Sequence, residues 1–170
     1  CSVYFLELTG NKIHKSEKTL FKIIDFLISK KFTKNSVIIS CCGGVIGDIS
    51  SMASSLYLRG MIYLHIPTTI TSIIDSCIGG KTGINYKGLI NSLGTYYHAK
   101  SVYISDEILS KIPSREYYSG LPEILKYGLI KNNSILKNLN KNQILFESRN
   151  FNFLSKVITE SLKTKIHFFS

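Results

Sequence analysis

The sequence predicts an α/β fold: a parallel sheet covered by helices, with the opening of an all-α unit behind it. Three observations predict it. Short apolar runs alternate with amphipathic stretches over about the first hundred residues, the order expected of parallel strands joined by crossover helices. The run Ser36–Cys41 closes on Gly43-Gly44 and gives way to a helical pattern, a glycine-rich turn between strand and helix. From Ser114 onward the pattern is helical, with no strand between the helices.

Val3–Leu8 reads as a short strand. Lys15–Lys30 carries Leu20, Ile23, Ile24, Leu27 and Ile28 at helical spacing and reads as an amphipathic helix. Ser36–Cys41 is nearly all apolar, as expected of a strand buried on both faces. A helix follows from about Ile46 to Tyr57. Met61–Ile66 is a second buried strand, stopped by Pro67. Thr68–Gly94 is a polar, glycine-rich stretch with Asp75, Lys81 and Asn85 embedded. Open α/β sheets place their sites in such segments, beyond a strand's C-terminal end. Ser101–Ser105 is a further short strand, and Ser114–Ile130, Ser134–Phe146 and Phe151–Phe169 are the helices. Residues 1–113 therefore form the sheet-bearing unit and residues 114–170 open the all-α unit.

Composition limits the function classes. Apolar residues make up 44% and charged residues 19%, which excludes a disordered chain. The formal charge is +10. It comes from 18 Lys against 3 Arg, scattered along the chain with no basic stripe, so no nucleic-acid partner is expected. The most apolar stretch, Met61–Gly80, is broken by His65, Pro67 and Asp75, so no membrane span is expected. Cys1, Cys41, Cys42 and Cys77 form no CxxC pair. They read as reduced, buried residues of a cytoplasmic protein. No charged and apolar leader opens the sequence, so export is not expected. It starts on Cys1 and stops in a running helical pattern, Ile166–Ser170, so a piece of a longer chain is expected.

Three clusters could carry chemistry. Gly43-Gly44-Val45-Ile46-Gly47-Asp48 is a strand-to-helix turn whose free N–H groups suit a phosphate. A tight turn alone would also explain it, with Asp48 as an ordinary helix N-terminal acid. Pro67-Thr68-Thr69 and Asp75-Ser-Cys-Ile-Gly-Gly-Lys81-Thr-Gly-Ile-Asn85 set hydroxyls, an acid and a lysine on tight turns. Asp75 and Lys81 could also be an ordinary surface ion pair. In Gly120-Leu-Pro-Glu123-Ile-Leu-Lys126-Tyr-Gly, Glu123 and Lys126 share one helix face. From spacing alone that pair reads as a solvated salt bridge.

The run GGVIGD, YLRG, PTT and DSCIGGKTGIN, followed by IPSREYYSGLPEILKYGLI, resembles 3-dehydroquinate synthase of the shikimate pathway, a sugar phosphate cyclase. The resemblance spans essentially the whole chain, with Gly10–Ser16 matching an upstream cofactor segment and Glu160–Ile166 a segment of the helical domain. It implies a Rossmann-like NAD-binding α/β domain ending near residue 113 and the start of an α-helical metal-binding domain. The family uses NAD and a divalent metal, zinc or cobalt, to convert DAHP into 3-dehydroquinate and phosphate. NAD oxidises a ring hydroxyl, phosphate leaves by β-elimination, the hydride returns, and an intramolecular aldol closes the carbocycle.

The resemblance also implies roles. Lys15, Gly44, Val45, Ile46, Gly47, Asp48, Thr68, Thr69, Lys81, Ile108, Leu109, Ser110 and Lys111 would line NAD. Asp75, Lys81 and Lys126 would be catalytic. Arg59, Asn91 and Lys126 would bind the phosphorylated substrate, Arg59 reaching into the partner of a homodimer. Glu123 would be the carboxylate ligand of the metal. The sequence departs from the family at Asn11, where a Glu is usual, and at Cys42, in place of the first of three glycines. Leu89-Ile90 replace a Gly-Lys pair, and Ser110 replaces a frequent Lys. None of His65, His98 and His167 matches the family's metal histidines, so the chain by itself is expected to be inactive. The alternatives are a non-catalytic NAD-binding remnant, another sugar phosphate cyclase, or an iron-type alcohol dehydrogenase.

Overall fold

The computed structural model describes residues 2–169, so Cys1 and Ser170 lie outside the described residues. Three strands form a parallel sheet in the order β1 (Val37–Cys42), β2 (Ile62–Pro67), β5 (Ser101–Val102). β1 and β2 pair from Val37 opposite Ile62 to Cys42 opposite Pro67. β5 adds two residues, Ser101 opposite Leu64 and Val102 opposite His65. The predicted strand Ser101–Ser105 is therefore shorter, and helix α3 (Asp106–Lys111) starts soon after it.

Helix α1 (Glu17–Ser29) buries Leu20, Ile23 and Leu27, the spacing that predicted it. Helix α2 (Gly44–Leu56) starts two residues earlier than expected, on the N-cap Gly43. It is buried on several sides, including Ile49, Met52 and Ala53 against the α1 side chains. α2 ends in a short turn, Tyr57–Arg59, where Leu58, Arg59 and Gly60 have φ of 50°, 62° and 119°. Left-handed backbone at Leu58 and Arg59 is strained.

Three expectations give way here. Val3–Leu8 pairs with no strand among the described residues. It runs extended along α1 with Leu6 and Leu8 against the core and Phe5 90% exposed. β1 is covered on one face only: Val37 and Ile39 are exposed, because it lies at the sheet margin with no element over that face among the described residues. Cys41 shares that exposed face and is not buried. The polar, glycine-rich stretch Thr68–Gly94 carries regular structure. It forms a helical turn that widens to π geometry at Ser72–Ser76, then a hairpin of β3 (Ile84–Tyr86) and β4 (Leu89–Leu93). The hairpin turns at Lys87-Gly88, both with positive φ, as a tight two-residue turn requires.

The expected helix Ser114–Ile130 breaks into α4 (Ser114–Ser119) and α5 (Leu121–Ile130) at Gly120. A Cβ on Gly120 would stand 2.3 Å from Ile70 Cγ2, so the break lets the helical part close onto the π turn. Ser134–Phe146 likewise divides into α6 (Asn133–Lys141) and α7 (Gln143–Glu147), and α8 (Phe151–Phe169) is one long helix. Ile70, Ile73 and Ile74 pack with Tyr117, Ile124, Ile135, Leu154 and Ile158 in one apolar cluster. That cluster fixes the segment after β2 against α5 and α8, and so positions the site.

Candidate functional site

The site begins where β1 and β2 end. Gly43 is extended, with φ −78° and ψ −178°, and leads directly into the first turn of α2. The N–H groups of that turn have no intrahelical acceptor, which favours an anion there. Thr68 donates its N–H to Cys42 O at 2.9 Å, which ties the segment after β2 to the end of β1. The Thr69 side chain packs on Gly43, 3.2 Å from where a Cβ would stand, while its hydroxyl caps the following turn through Ser72. On the other side, Lys15 Nζ donates to Asp48 Oδ2 at 2.5 Å and to Asn91 Oδ1 at 2.6 Å. Lys15, Asp48 and Asn91, predicted separately from distant segments, thus meet beside the glycine turn.

Beneath this turn lies His65 of β2, 3% exposed. A Cβ on Gly47 would stand 2.8 Å from its Cε1, so the glycine is required by the ring under it. Burial, opposed by a backbone hydrogen bond at Cys42, holds the imidazole below its ordinary value of 6.5 and hence neutral. Ser40 Oγ and Tyr63 Oη are 2.7 Å apart, and Tyr63 Oη donates to Gly47 O at 3.2 Å. Burial also pushes the Cys42 and Cys77 thiols up to about 12, so both stay protonated.

The second half of the site comes from the π turn. Asp75 is held by two residues of the helical part. Its Oδ1 accepts from Lys165 Nζ of α8 at 2.8 Å and from Tyr127 Oη of α5 at 3.2 Å, and Lys165 also reaches its carbonyl. Burial raises the Asp75 pKa, but the hydrogen bond and charge of Lys165, with Lys126 and Tyr127, outweigh it and hold the carboxyl below its ordinary value. Asp48 goes the other way: burial raises it more than Lys15 lowers it, and Asp75 and Lys165 both act on it by charge. The two carboxylates therefore belong to one electrostatic unit. Glu123 and Lys126 form the expected i,i+3 pair on α5, half exposed.

Other predicted residues are engaged elsewhere. Arg59 is exposed on the strained turn after α2. In α3, Leu109 is core, Lys111 pairs with Glu107 at the surface, Ser110 O accepts from Arg149, and Ile108 lies on the same short helix. Lys81, by contrast, stays at the site: its backbone pairs with Tyr96, and the residue lines a small cavity with Gly47, Asp48 and Ser76. Lys165 and Tyr127 escaped the sequence reading. The signal was present for Lys165, which follows Leu154, Ile158 and Ser161 on the buried face of α8.

Two tests bear on a cofactor and a metal. Ser76 Oγ, on the π turn, is the one buried side-chain nitrogen or oxygen among the described residues with no hydrogen-bond partner. It stands 3.0 Å from where a Cβ on Gly44 would be. A buried orphan hydroxyl beside a bare helix start, with Lys15 and Asp48 adjacent, fits a polar anionic ligand such as a dinucleotide. For a metal the described residues offer one predicted carboxylate, Glu123. Among the described residues no group of three His, Cys, Asp or Glu could hold one, and Glu123 is engaged by Lys126. Among them, too, no helix is long and apolar enough to cross a membrane.

Known proteins agree with the geometry. A 3-dehydroquinate synthase from Prochlorococcus marinus is 38% identical over 164 residues, covering 94% of this chain and 45% of its own length. One from Dictyoglomus thermophilum is 42% identical over 151 residues, covering 89% and 42%. The chain thus spans about half the length of the curated relatives it matches. Among solved structures, ValA, the 2-epi-5-epi-valiolone synthase of Streptomyces hygroscopicus with NAD+ and Zn2+ bound, superposes with a TM-score of 0.88 at 29% identity. That match covers 94% of this chain and 45% of ValA. A 2-deoxy-scyllo-inosose synthase complexed with carbaglucose-6-phosphate, NAD+ and Co2+ superposes with a TM-score of 0.72 at 28% identity, covering 75% and 35%. The family profile described as 3-dehydroquinate synthase N-terminal matches residues 5–119. The α/β turn, the paired carboxylates and these matches lead to one conclusion: the chain belongs to the 3-dehydroquinate synthase family.

Proposed function

We propose that this chain is the cofactor- and substrate-binding part of a 3-dehydroquinate synthase, a phosphorus–oxygen lyase that converts DAHP into 3-dehydroquinate and phosphate. The observation that carries the reading is the meeting of two charged half-sites, Lys15–Asp48 and Lys165–Asp75–Tyr127, across the glycine turn. Residues 1–113 would be the NAD-binding unit and residues 114–170 the start of the helical one.

The first-turn N–H groups of Gly44, Val45 and Ile46 would take the anionic centre of NAD, with Gly47, Asp48, Lys15, Thr68 and Thr69 around it and Ile108–Lys111 along its length. Bound NAD supplies a hydride acceptor and returns the hydride. Asp75, held ionised by Lys165, accepts a hydrogen bond from a substrate hydroxyl and orients it. Lys81 and Lys126 place positive charge where a phosphate and a carboxylate must be held, and Asn91 offers an amide beside them. Arg59, presented on its strained turn, would serve the partner's site in a homodimer. Glu123 would be the single carboxylate this chain gives a divalent metal. The described residues do not complete that metal's ligand set. A cytoplasmic location accords with the free cysteines.

Two experiments test the reading. Calorimetric titration of the chain with NAD should show saturable binding, weakened at least tenfold in Asp48→Ala. The isolated chain, given DAHP, NAD and zinc, should release no phosphate above a no-protein control. A chimera in which it replaces the matching segment of the Prochlorococcus marinus synthase should do so. No NAD binding together with an inactive chimera would end the proposal.

A further inference from the structure

At the opposite end of the sheet from the glycine turn, the segment before β1, the start of β2 and the segment before β5 line an open cavity of about 390 Å³. Its floor is Met61 and Tyr63, both almost fully buried, with Tyr97 beside them. The floor is anchored through backbone: Tyr97 Oη donates to Met61 O at 2.6 Å, and Lys100 N donates to Tyr63 O at 2.8 Å. Its rim carries Lys34, Asn35, His98 and Lys100, and no carboxylate lines it. The volume falls in the range of small-molecule sites, roughly 300–1,000 Å³. Two ammonium groups, an imidazole and an amide offer donors to an anion and nothing that repels one.

We propose that this cavity is a second anion site, which takes a small phosphorylated molecule and is distinct from the cofactor turn. Its position gives it a route to the chemistry. The segment that supplies Tyr97, His98 and Lys100 also backs the loop bearing Lys81. Tyr97 N donates to Gly80 O at 2.7 Å, Lys81 bridges to Tyr96, and the His98 ring occupies the space beside Gly80, 2.9 Å from where a Cβ would stand. An occupant held by His98 and Lys100 therefore bears on the placement of Lys81, and occupancy and NAD affinity are linked reciprocally.

The test uses the whole chain with two probes, inorganic phosphate and glucose 6-phosphate, titrated by calorimetry and by ¹H–¹⁵N spectra at fixed ionic strength. The spectra should shift at Lys34, Tyr97, His98 and Lys100. K34A/K100A should weaken binding at least tenfold while K22A/K137A, which removes two exposed lysines elsewhere, leaves it unchanged. Tighter binding of glucose 6-phosphate than of phosphate assigns the site to a phosphorylated metabolite; equal binding assigns it to phosphate itself, and either supports an anion site. Equal losses in the two double variants mean general attraction to a basic protein and overturn the proposal. So do spectral shifts confined to Gly44–Asp48, which would place the probe at the cofactor turn. Because both probes are read without NAD, failure of the cofactor reading leaves this test intact.

Discussion

Glycine inside a helix normally weakens it, so Gly47→Ala in α2 should stabilise by about 0.5–1 kcal/mol on helix propensity alone. The structure predicts the reverse. The new Cβ would stand 2.8 Å from His65 Cε1 and 3.1 Å from Nε2, and the ring is buried. Overpacking of this kind costs about 1–3 kcal/mol. At about 2–4 °C per kcal/mol for a domain of this size, the melting temperature should fall by roughly 3–10 °C. The decisive measurement is a double-mutant cycle by urea denaturation. In a His65→Ala background the methyl enters vacated space, so Gly47→Ala should become neutral or stabilising. The coupling should be at least about 1 kcal/mol. An equal cost for Gly47→Ala in both backgrounds would refute the claim that the ring beneath, rather than the ligand above, dictates this glycine.

Four further outcomes follow from the same geometry. Lys165→Met should destabilise by about 1–2 kcal/mol, below the full cost of breaking a buried pair because Asp75 is partly exposed, and Asp75→Asn should recover part of the loss; additive losses would contradict the pairing. Because the folded pKa of His65 is lowered, its contribution is complete above about 6.5 and is lost as pH falls below that; His65→Gln should flatten the acid limb of the stability curve there. Asp75 is also depressed in the fold, so its contribution holds above the ordinary carboxylate range, about 4, and goes only in stronger acid. Ser76→Ala removes an unsatisfied buried hydroxyl and should stabilise the ligand-free chain by about 1 kcal/mol while weakening NAD; a loss of ligand-free stability would show a hidden partner.

Local pattern carried the reading where local pattern decides structure. Leu20, Ile23 and Leu27 mark α1 because burial follows helical spacing, and Pro67 marks the end of β2 because it cannot extend the ladder. The glycine turn and its Asp48 were legible for the same reason. What was not legible depends on contacts between distant segments. Gly120 and Pro122 lie inside a pattern that reads as one helix, and the close approach that demands the glycine comes from Ile70 and Thr71, some fifty residues earlier. Lys165 is one of many lysines until Asp75, ninety residues away, claims it. The exposed face of β1 could not be foreseen from Val37 and Ile39, whose apolar side chains imply a cover.

That bare strand has a practical consequence. Among the described residues β1 is hydrogen-bonded to β2 along one side alone, and its other side presents a row of main-chain donors and acceptors beside Val37, Ile39 and Cys41. Such a margin recruits further strands, and a thiol next to it can lock the adduct by oxidation. Purified at high concentration without reductant, the chain should precipitate through this edge, and a charged residue in place of Ile39 should keep it in solution.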